Sequence, residues 1–422
     1  MVFKIVIRCI FLVGIISHLS AQQDSILAKI NSNLRQVNAS KLDFQGYGVV
    51  NYFAYDWQTL PDKRNALDPE RLNMYIYYNF TDKIQFKSEI EFEHGGTGTT
   101  MSFDPLEEFG EFEQEVAKGG EVIAEQINIL FKVCQRLNVR VGKMRFYMGN
   151  ASRQDRPRSY FTAYRSEVEN TILPLGWYET GLEVSGDLHL KSQSHFPYLS
   201  YKAYIVSGLD NTGFSSQNWI RRGYQKRFET INADNLAYAV RVDYNFKQDS
   251  WLGFNIYTNN ATGNRPKNDF KQDSWVTYGD LHFSYDSHPW RTRAFGMLGY
   301  IQNSEALSKA NQNLSNNLNV KRTPVSKTAG GAYAELAYDI LPCLIKESKQ
   351  EFYLFGRVEW YDAMLSTEGV VFNNPRYERK IYTIGINYFP MQKVVFKSHW
   401  AFRSLGSGEK ENTFALGLGF DF

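Results

Sequence analysis

The chain has 422 residues, with 47 Lys and Arg against 45 Asp and Glu, a formal net charge of +2 and a mean hydropathy of −0.42. That near-neutral balance gives no global basis for binding nucleic acid or a strongly charged partner. Beyond the N-terminal run, no stretch approaches the roughly 20 apolar residues of a transmembrane helix, so any membrane crossing has to use strands.

The chain opens with Lys4 and Arg8, continues through an apolar run from Cys9 to Ile16, and reaches a polar, small-residue boundary at Ser20-Ala21-Gln22. This is the order of a secretory signal peptide, residues 1–21, and its removal takes the formal charge to about zero. Cys9 follows the charged Arg8, which argues against a lipid-anchored cysteine. Residues 22–41 are read as a short periplasmic segment in which Ile26, Ile30, Leu34 and Val37 recur at helical spacing.

From Leu42 the pattern changes to period two, the repeat of a strand with two unlike faces. Leu72, Met74, Ile76, Tyr78 and Phe80 alternate with Asn73, Tyr75, Tyr77 and Asn79. Ile84, Phe86, Ile90 and Phe92 alternate with Gln85, Lys87, Glu89, Glu91 and Glu93. The same reading recurs around Arg241 and Asp243, around Glu335 and Asp339, and around Arg357 and Glu359. A soluble sandwich also alternates, but a membrane barrel adds a rhythm of short periplasmic turns and longer outer loops.

About sixteen strands fit between Leu42 and Phe422, an even number as single-chain bacterial barrels require. Short joins fall at residues 81–83, 135–136, 247–249, 286–289 and 390–392. Long ones fall at 56–70, 95–120, 147–177, 209–234, 259–273, 303–328 and 362–379. Tyr52, Tyr55, Trp57, Tyr285, Trp290, Tyr300, Trp360, Tyr361 and Tyr388 lie near predicted strand ends, where an apolar ring with a polar handle suits a membrane-water boundary. The last strand, TFALGLGFDF, sets Phe414, Leu416, Leu418, Phe420 and Phe422 on one face. Left unpaired it would be an aggregation hazard; in a closed barrel it pairs with the first strand. The expected fold is therefore all-β, a transmembrane antiparallel β-barrel over residues 42–422 with short periplasmic turns and long extracellular loops.

The segments EFGEFEQEVAKGGEVIAEQINILF (108–131), NVRVGKMRFYMG (138–149), ILPLGWYETGLEVSG (172–186), FYLFGRVEWYD (352–362) and FALGLGFDF (414–422) resemble strand motifs, in the same order, of the outer-membrane porin family that includes the phosphate-selective porins of Gram-negative bacteria. The resemblance covers most of the chain after the signal. It implies an outer-membrane barrel, usually a homotrimer, in which arginines line a constriction formed partly by an inward-folded loop. It also implies that the barrel-assembly machinery reads the terminal Phe422. The candidate loop is 147–177, with Arg153, Arg156, Arg158 and Arg165, and Arg145 just before it. Asp155, Glu167 and Glu169 lie among them, which weakens the case for strict anion selectivity.

On the wall, Arg140, Arg241, Arg291, Arg293, Arg357 and Glu359 are candidate pore-lining charges, because charged rings in a narrow throat select ions by sign. Arg357 with Glu359, and Arg241 with Asp243, equally fit same-face charges that brace the wall. Asp280, His282 and Ser284 also share a strand face. Such neighbours stand roughly 6.5 to 7 Å apart, whereas a nucleophile and its base must approach to about 3 Å. His94, His189, His195, His288 and His399 lack metal-ligand spacing, and Gly95-Gly96 and Gly119-Gly120 lack the Lys-Ser/Thr pair of a phosphate cradle.

No catalytic residue, metal or cofactor is expected, and Cys134 and Cys343 are expected as separate free thiols. Arg221-Arg222 and Lys226-Arg227 are read as facing outward, towards lipopolysaccharide phosphates, a neighbouring subunit or solvent. The sequence thus points to an outer-membrane porin passing small hydrophilic solutes, with phosphate-like anions as a candidate class and outer-membrane lipid and lipopolysaccharide as its surroundings. An outer-membrane barrel enzyme such as a lipid hydrolase, and a closed structural or adhesive barrel, are the alternatives.

Overall fold

Period-two alternation places Tyr238, Val240 and Tyr244 on one face of a strand and Arg241, Asp243 and Asn245 on the other. In a computed structural model the first set points outward and the second is buried inside a closed barrel. The structure describes residues 41–94, 102–103, 114–115, 121–174, 176–190, 195–225, 231–312, 314, 322–345 and 347–422. The expected signal peptide, the segment 22–40, Lys226-Arg227 and both glycine pairs lie outside them.

The barrel strands are β1 (Leu42–Trp57), β2 (Ala66–Thr81), β3 (Ile84–Glu93), β4 (Glu121–Cys134), β5 (Leu137–Arg145), β6 (Tyr178–His189), β7 (Tyr198–Val206) and β8 (Ala237–Lys247). They continue as β9 (Ser250–Asn260), β10 (Trp275–Ser287), β11 (Trp290–Ile301), β12 (Thr328–Asp339), β13 (Glu351–Ser366), β14 (Glu378–Met391), β15 (Val394–Leu405) and β16 (Lys410–Asp421). Each pairs antiparallel with its sequence neighbours, and β16 returns to β1. A separate pair, Ser102–Phe103 with Gln114–Glu115, lies outside the barrel sheet. Among the described residues no helix is long and apolar enough to cross a membrane. At one end, residues 82–83, 135–136, 248–249, 288–289 and 392–393 make tight turns. At the other, 146–177, 207–236 and 302–327 make long connections, whereas 406–409 is a tight turn.

The seam between β1 and β16 runs from Tyr47 opposite Asp421 to Trp57 opposite Glu411. Glycine is required there by close approach. A Cβ on Gly48 would lie 2.4 Å from the Phe420 ring, and one on Gly46 would lie 2.2 Å from the Phe422 ring. The terminal aromatics thus cover two glycines of the first strand and shield the last backbone ladder. Leu252, Phe254 and Ile256 continue the apolar outer face on β9. Cys134 and Cys343 are exposed free thiols.

Replacing Phe254 by Arg places a charge in the middle of the outer belt and is expected to destabilise the lipid-embedded barrel by about 2–4 kcal/mol. Urea unfolding of the reconstituted protein measures this. A loss below about 0.5 kcal/mol would show that this face does not meet hydrocarbon.

Candidate functional site

After Arg145 the chain leaves the wall and turns into the lumen. Phe146 packs edge-on to Trp177 and Tyr204, with ring centroids 4.9 and 4.8 Å away. Its N–H donates to the Trp177 carbonyl at 2.8 Å, tying together the two ends of the loop formed by residues 147–177. Met148, Val168, Ile172 and Leu173 then join Tyr257, Tyr278 and Phe295 in an apolar cluster inside the barrel. Trp219, from the 207–236 connection, enters the same cluster over Gly299, where a Cβ would come within 1.9 Å of its ring. Hydrophobic packing therefore holds one side of the loop, and burial of these rings drives it inward.

Charge holds the other side. Asp155 accepts from Tyr47 Oη at 2.6 Å, Arg71 Nη1 at 3.0 Å and Arg165 Nη1 at 2.5 Å, and Arg145 Nη1 forms an ion pair with it at 2.9 Å. Burial alone would raise its pKa, but Arg145, then Arg71 and Arg165, outweigh burial and hold the carboxyl well below the usual range. Opposite, Arg403 pairs with Glu167, whose N–H donates to Glu359 at 3.1 Å. Lys397 Nζ donates to the carbonyls of Tyr160 and Thr162, at 2.7 and 3.0 Å, and Ala163 N–H donates to His399 Nδ1 at 3.2 Å. Arg241 Nη1 reaches the Gly149 carbonyl at 2.8 Å, while Gly149 N–H donates to Asp280 at 3.3 Å. The loop is thus tied to strands around the whole wall.

Two cavities lie in the lumen with this loop contributing to both. The one at the tight-turn end has about 450 Å³ and is lined by Arg153, Arg158, Arg291, Arg293 and Lys349, with Asp249, Asp286 and Glu351. The one at the long-connection end has about 660 Å³ and no lining residue in common with it. The loop segment from Tyr160 to Ala163, fixed by Lys397 and His399, belongs to neither lining.

Of the arginines singled out from the sequence, Arg153, Arg158, Arg291 and Arg293 converge on the tight-turn cavity. Arg156 is one-third exposed and lies 3.6 Å from Asp421, which also binds Arg158. Arg145 and Arg165 are buried on Asp155, and Arg241 is buried on Asp243. Arg357 lies buried between Glu335 and Glu359, and Arg140 contacts Glu183 and Asn128 on the wall. Arg71, Lys397 and Arg403 were not singled out, although each continues the inward parity of its strand. Tyr55, Trp57 and Tyr361, placed near a membrane boundary from sequence, line the larger cavity instead. Tyr55 and Trp57 share the parity of inward-facing Tyr47 and Asn51, and that parity fixes their side.

His282 is fully buried, with Nδ1 2.7 Å from Asp280 and Nε2 2.6 Å from Asp243. Both ring nitrogens are occupied by carboxylates, and Ser284 Oγ accepts instead from Gln154 at 3.2 Å. The three same-face residues do not make a nucleophile and base. Among the described residues no group of His, Cys, Asp and Glu is placed to hold a metal ion.

No family model matches the chain. An uncharacterized protein of Aquifex aeolicus (strain VF5) is 26% identical over 359 residues, which span 84% of this chain and 74% of that one. The outer membrane channel DcaP of Acinetobacter baumannii superposes with a TM-score of 0.51 at 12% identity, over 91% of this chain and 98% of the other. OmpF of Salmonella typhi, in complex with daunomycin, gives 0.52 at 10% identity over 90% and 97%. OprB of Pseudomonas putida, at high pH, gives 0.51 at 9% identity over 93% and 97%. These likenesses establish a shared fold, the closed barrel of outer-membrane proteins.

Asp155→Asn leaves three buried guanidinium groups without this carboxylate, a change expected to cost about 3–5 kcal/mol. Release of the loop is read as faster tryptic cleavage after Arg153 and Arg158. Because the folded pKa of Asp155 lies below its unfolded value of about 3.9, its contribution is complete above that value and is lost only as pH falls through the folded pKa. Acidifying the unaltered protein from pH 7 to about pH 4 should therefore leave the Asp155 ties in place. Unchanged cleavage in the variant would remove Asp155 from this role.

Proposed function

We propose that the protein is an outer-membrane porin, a passive diffusion channel for small hydrophilic solutes. The observation that carries this reading is the pairing of an apolar outer wall with a charged lumen holding cavities on both sides of an inward-folded loop. A structural barrel packed through its core gains nothing from such space. Desolvating this many charges is tolerable only where partners or water reach them. In this reading the tight turns face the periplasm, the long connections face outward, and the barrel assembles as a homotrimer, as the family resemblance implies.

The lumen chemistry also supports a preference for anions. The tight-turn cavity sets five basic side chains against Asp249, Asp286 and Glu351; Arg291 pairs with Asp286 and Glu351 and Arg293 is buried on Glu335, which leaves Arg153, Arg158 and Lys349 to face passing ions. Arg153 and Arg158 keep about a third of their side-chain surface exposed, so their charge reaches passing ions. The buried arginines on Asp155, Asp243 and Glu335 are neutralised at close range and act on the wall and loop.

Planar bilayers holding the purified protein are expected to show stepwise conductance, with a reversal potential under a salt gradient that favours anions. The triple substitution Arg153→Gln, Arg156→Gln and Arg158→Gln is expected to lower anion preference several-fold while keeping conductance. Conductance with unchanged selectivity would sink the assignment of these arginines. No conductance would sink the channel.

A further inference from the structure

The larger cavity contains side chains that neither the loop ties nor a simple water path calls for. Phe53, Tyr55 and Trp57, alternate residues of β1, all turn into it, with successive ring centroids 6.0 and 5.3 Å apart. Tyr164 of the loop faces Phe53 at 6.2 Å, and Tyr361 and Tyr377 complete the aromatic lining. The tight-turn cavity has two aromatic side chains in its lining, Trp251 and Phe389.

Charge in the larger cavity is unbalanced as well. Lys63, Arg221, Arg376, Arg379 and Arg403 face Glu167 and Glu411, and Arg403 alone binds both carboxylates. Lys63 Nζ stands 3.8 Å over the Trp57 ring, and the Arg403 guanidinium is 5.1 Å from the same ring. Arg379 Nη1 donates to the carbonyl oxygens of Arg376 and Glu378. Among the described residues neither Arg376 nor Arg379 makes an ion pair, so both guanidinium groups offer donors to the cavity. A planar guanidinium matches a carboxylate with two parallel hydrogen bonds.

These features narrow the ligand. The volume falls within the roughly 300–1,000 Å³ of small-molecule sites. Inorganic phosphate or acetate would leave the rings facing water, a neutral saccharide would leave the guanidinium groups unpaired, and an organic cation is opposed by the excess positive charge. A flat ring bearing a carboxylate meets both demands.

We propose that the larger cavity is a binding site for aryl carboxylates, with Arg376 and Arg379 holding the carboxylate while Phe53, Tyr55, Trp57 and Tyr164 stack on the ring. This deepens the porin reading by naming a solute class, and it depends on that reading only for passage of the bound solute through the barrel.

Equilibrium dialysis of radiolabelled benzoate against the detergent-purified full chain tests the site without requiring conduction. Saturable binding is expected, displaced by unlabelled benzoate and resistant to equal concentrations of acetate, phosphate or glucose. Arg376→Gln with Arg379→Gln is expected to weaken binding about tenfold, as is Trp57→Ala, while Trp57→Phe keeps most of it. Equal competition by acetate or phosphate would reduce the site to a basic patch and overturn the proposal. Displacement by glucose would make it a saccharide site, and absence of saturable binding would remove it. These competition results come from the unaltered protein, so they decide the matter even if a variant fails to fold. Benzoate binding without conductance would contradict the porin reading alone, and conductance without benzoate binding would contradict the site alone.

Discussion

In hydrocarbon, a peptide N–H or C=O without a partner costs several kcal/mol, so a chain that crosses with strands must join its last strand to its first. Here that junction is the ladder between β1 and β16, and the placement of everything else depends on it. Phe420 and Phe422 lie over Gly48 and Gly46, which brings apolar cover to the one seam that sequence adjacency cannot supply. Once the wall closes, parity is fixed for every strand. Each residue that alternates with an outward Leu, Ile or Phe is enclosed, whatever its charge.

Enclosure creates an electrostatic problem that the inward loop resolves together with the wall. Arg71 has Glu70 and Arg145 has Glu89 on the wall, and Asp155 adds a carboxylate shared by both. Arg403 receives Glu167 in the same way, and Lys397 receives two loop carbonyls. The loop is held because removing it would take one carboxylate from each of these buried arginines and two carbonyl partners from Lys397, losses that buried charges make at a cost of several kcal/mol. Its position then divides the charged side chains into two classes. Some are neutralised at close range and fix the architecture; others, such as Arg153 and Arg158, keep contact with the tight-turn cavity.

Much of this barrel was legible in the sequence because strand parity is a local property. The alternation around Arg241 and around Arg357 placed those residues inward, and the pattern of the last strand anticipated its pairing with the first. What each inward arginine does was not legible, because it depends on register and on the path of the loop. Arg357 meets Glu335 only because β12 and β13 pair with those residues opposite one another. Asp155 reads in sequence as an acid among arginines, whereas its partners come from β1, β2, β5 and the loop itself. Tyr55 and Trp57 were misplaced because position near a strand end was weighed before the face they occupy.

On the proposed function, water and small solutes pass through this lumen around a loop held in place. Swelling of liposomes that contain the purified protein, in isotonic solutions of neutral solutes of increasing size, tests it most directly. Swelling well above that of protein-free liposomes is expected for the smallest sugars and polyols, falling steeply as solute size increases. Swelling no faster than protein-free liposomes with every solute would show a sealed barrel and contradict it.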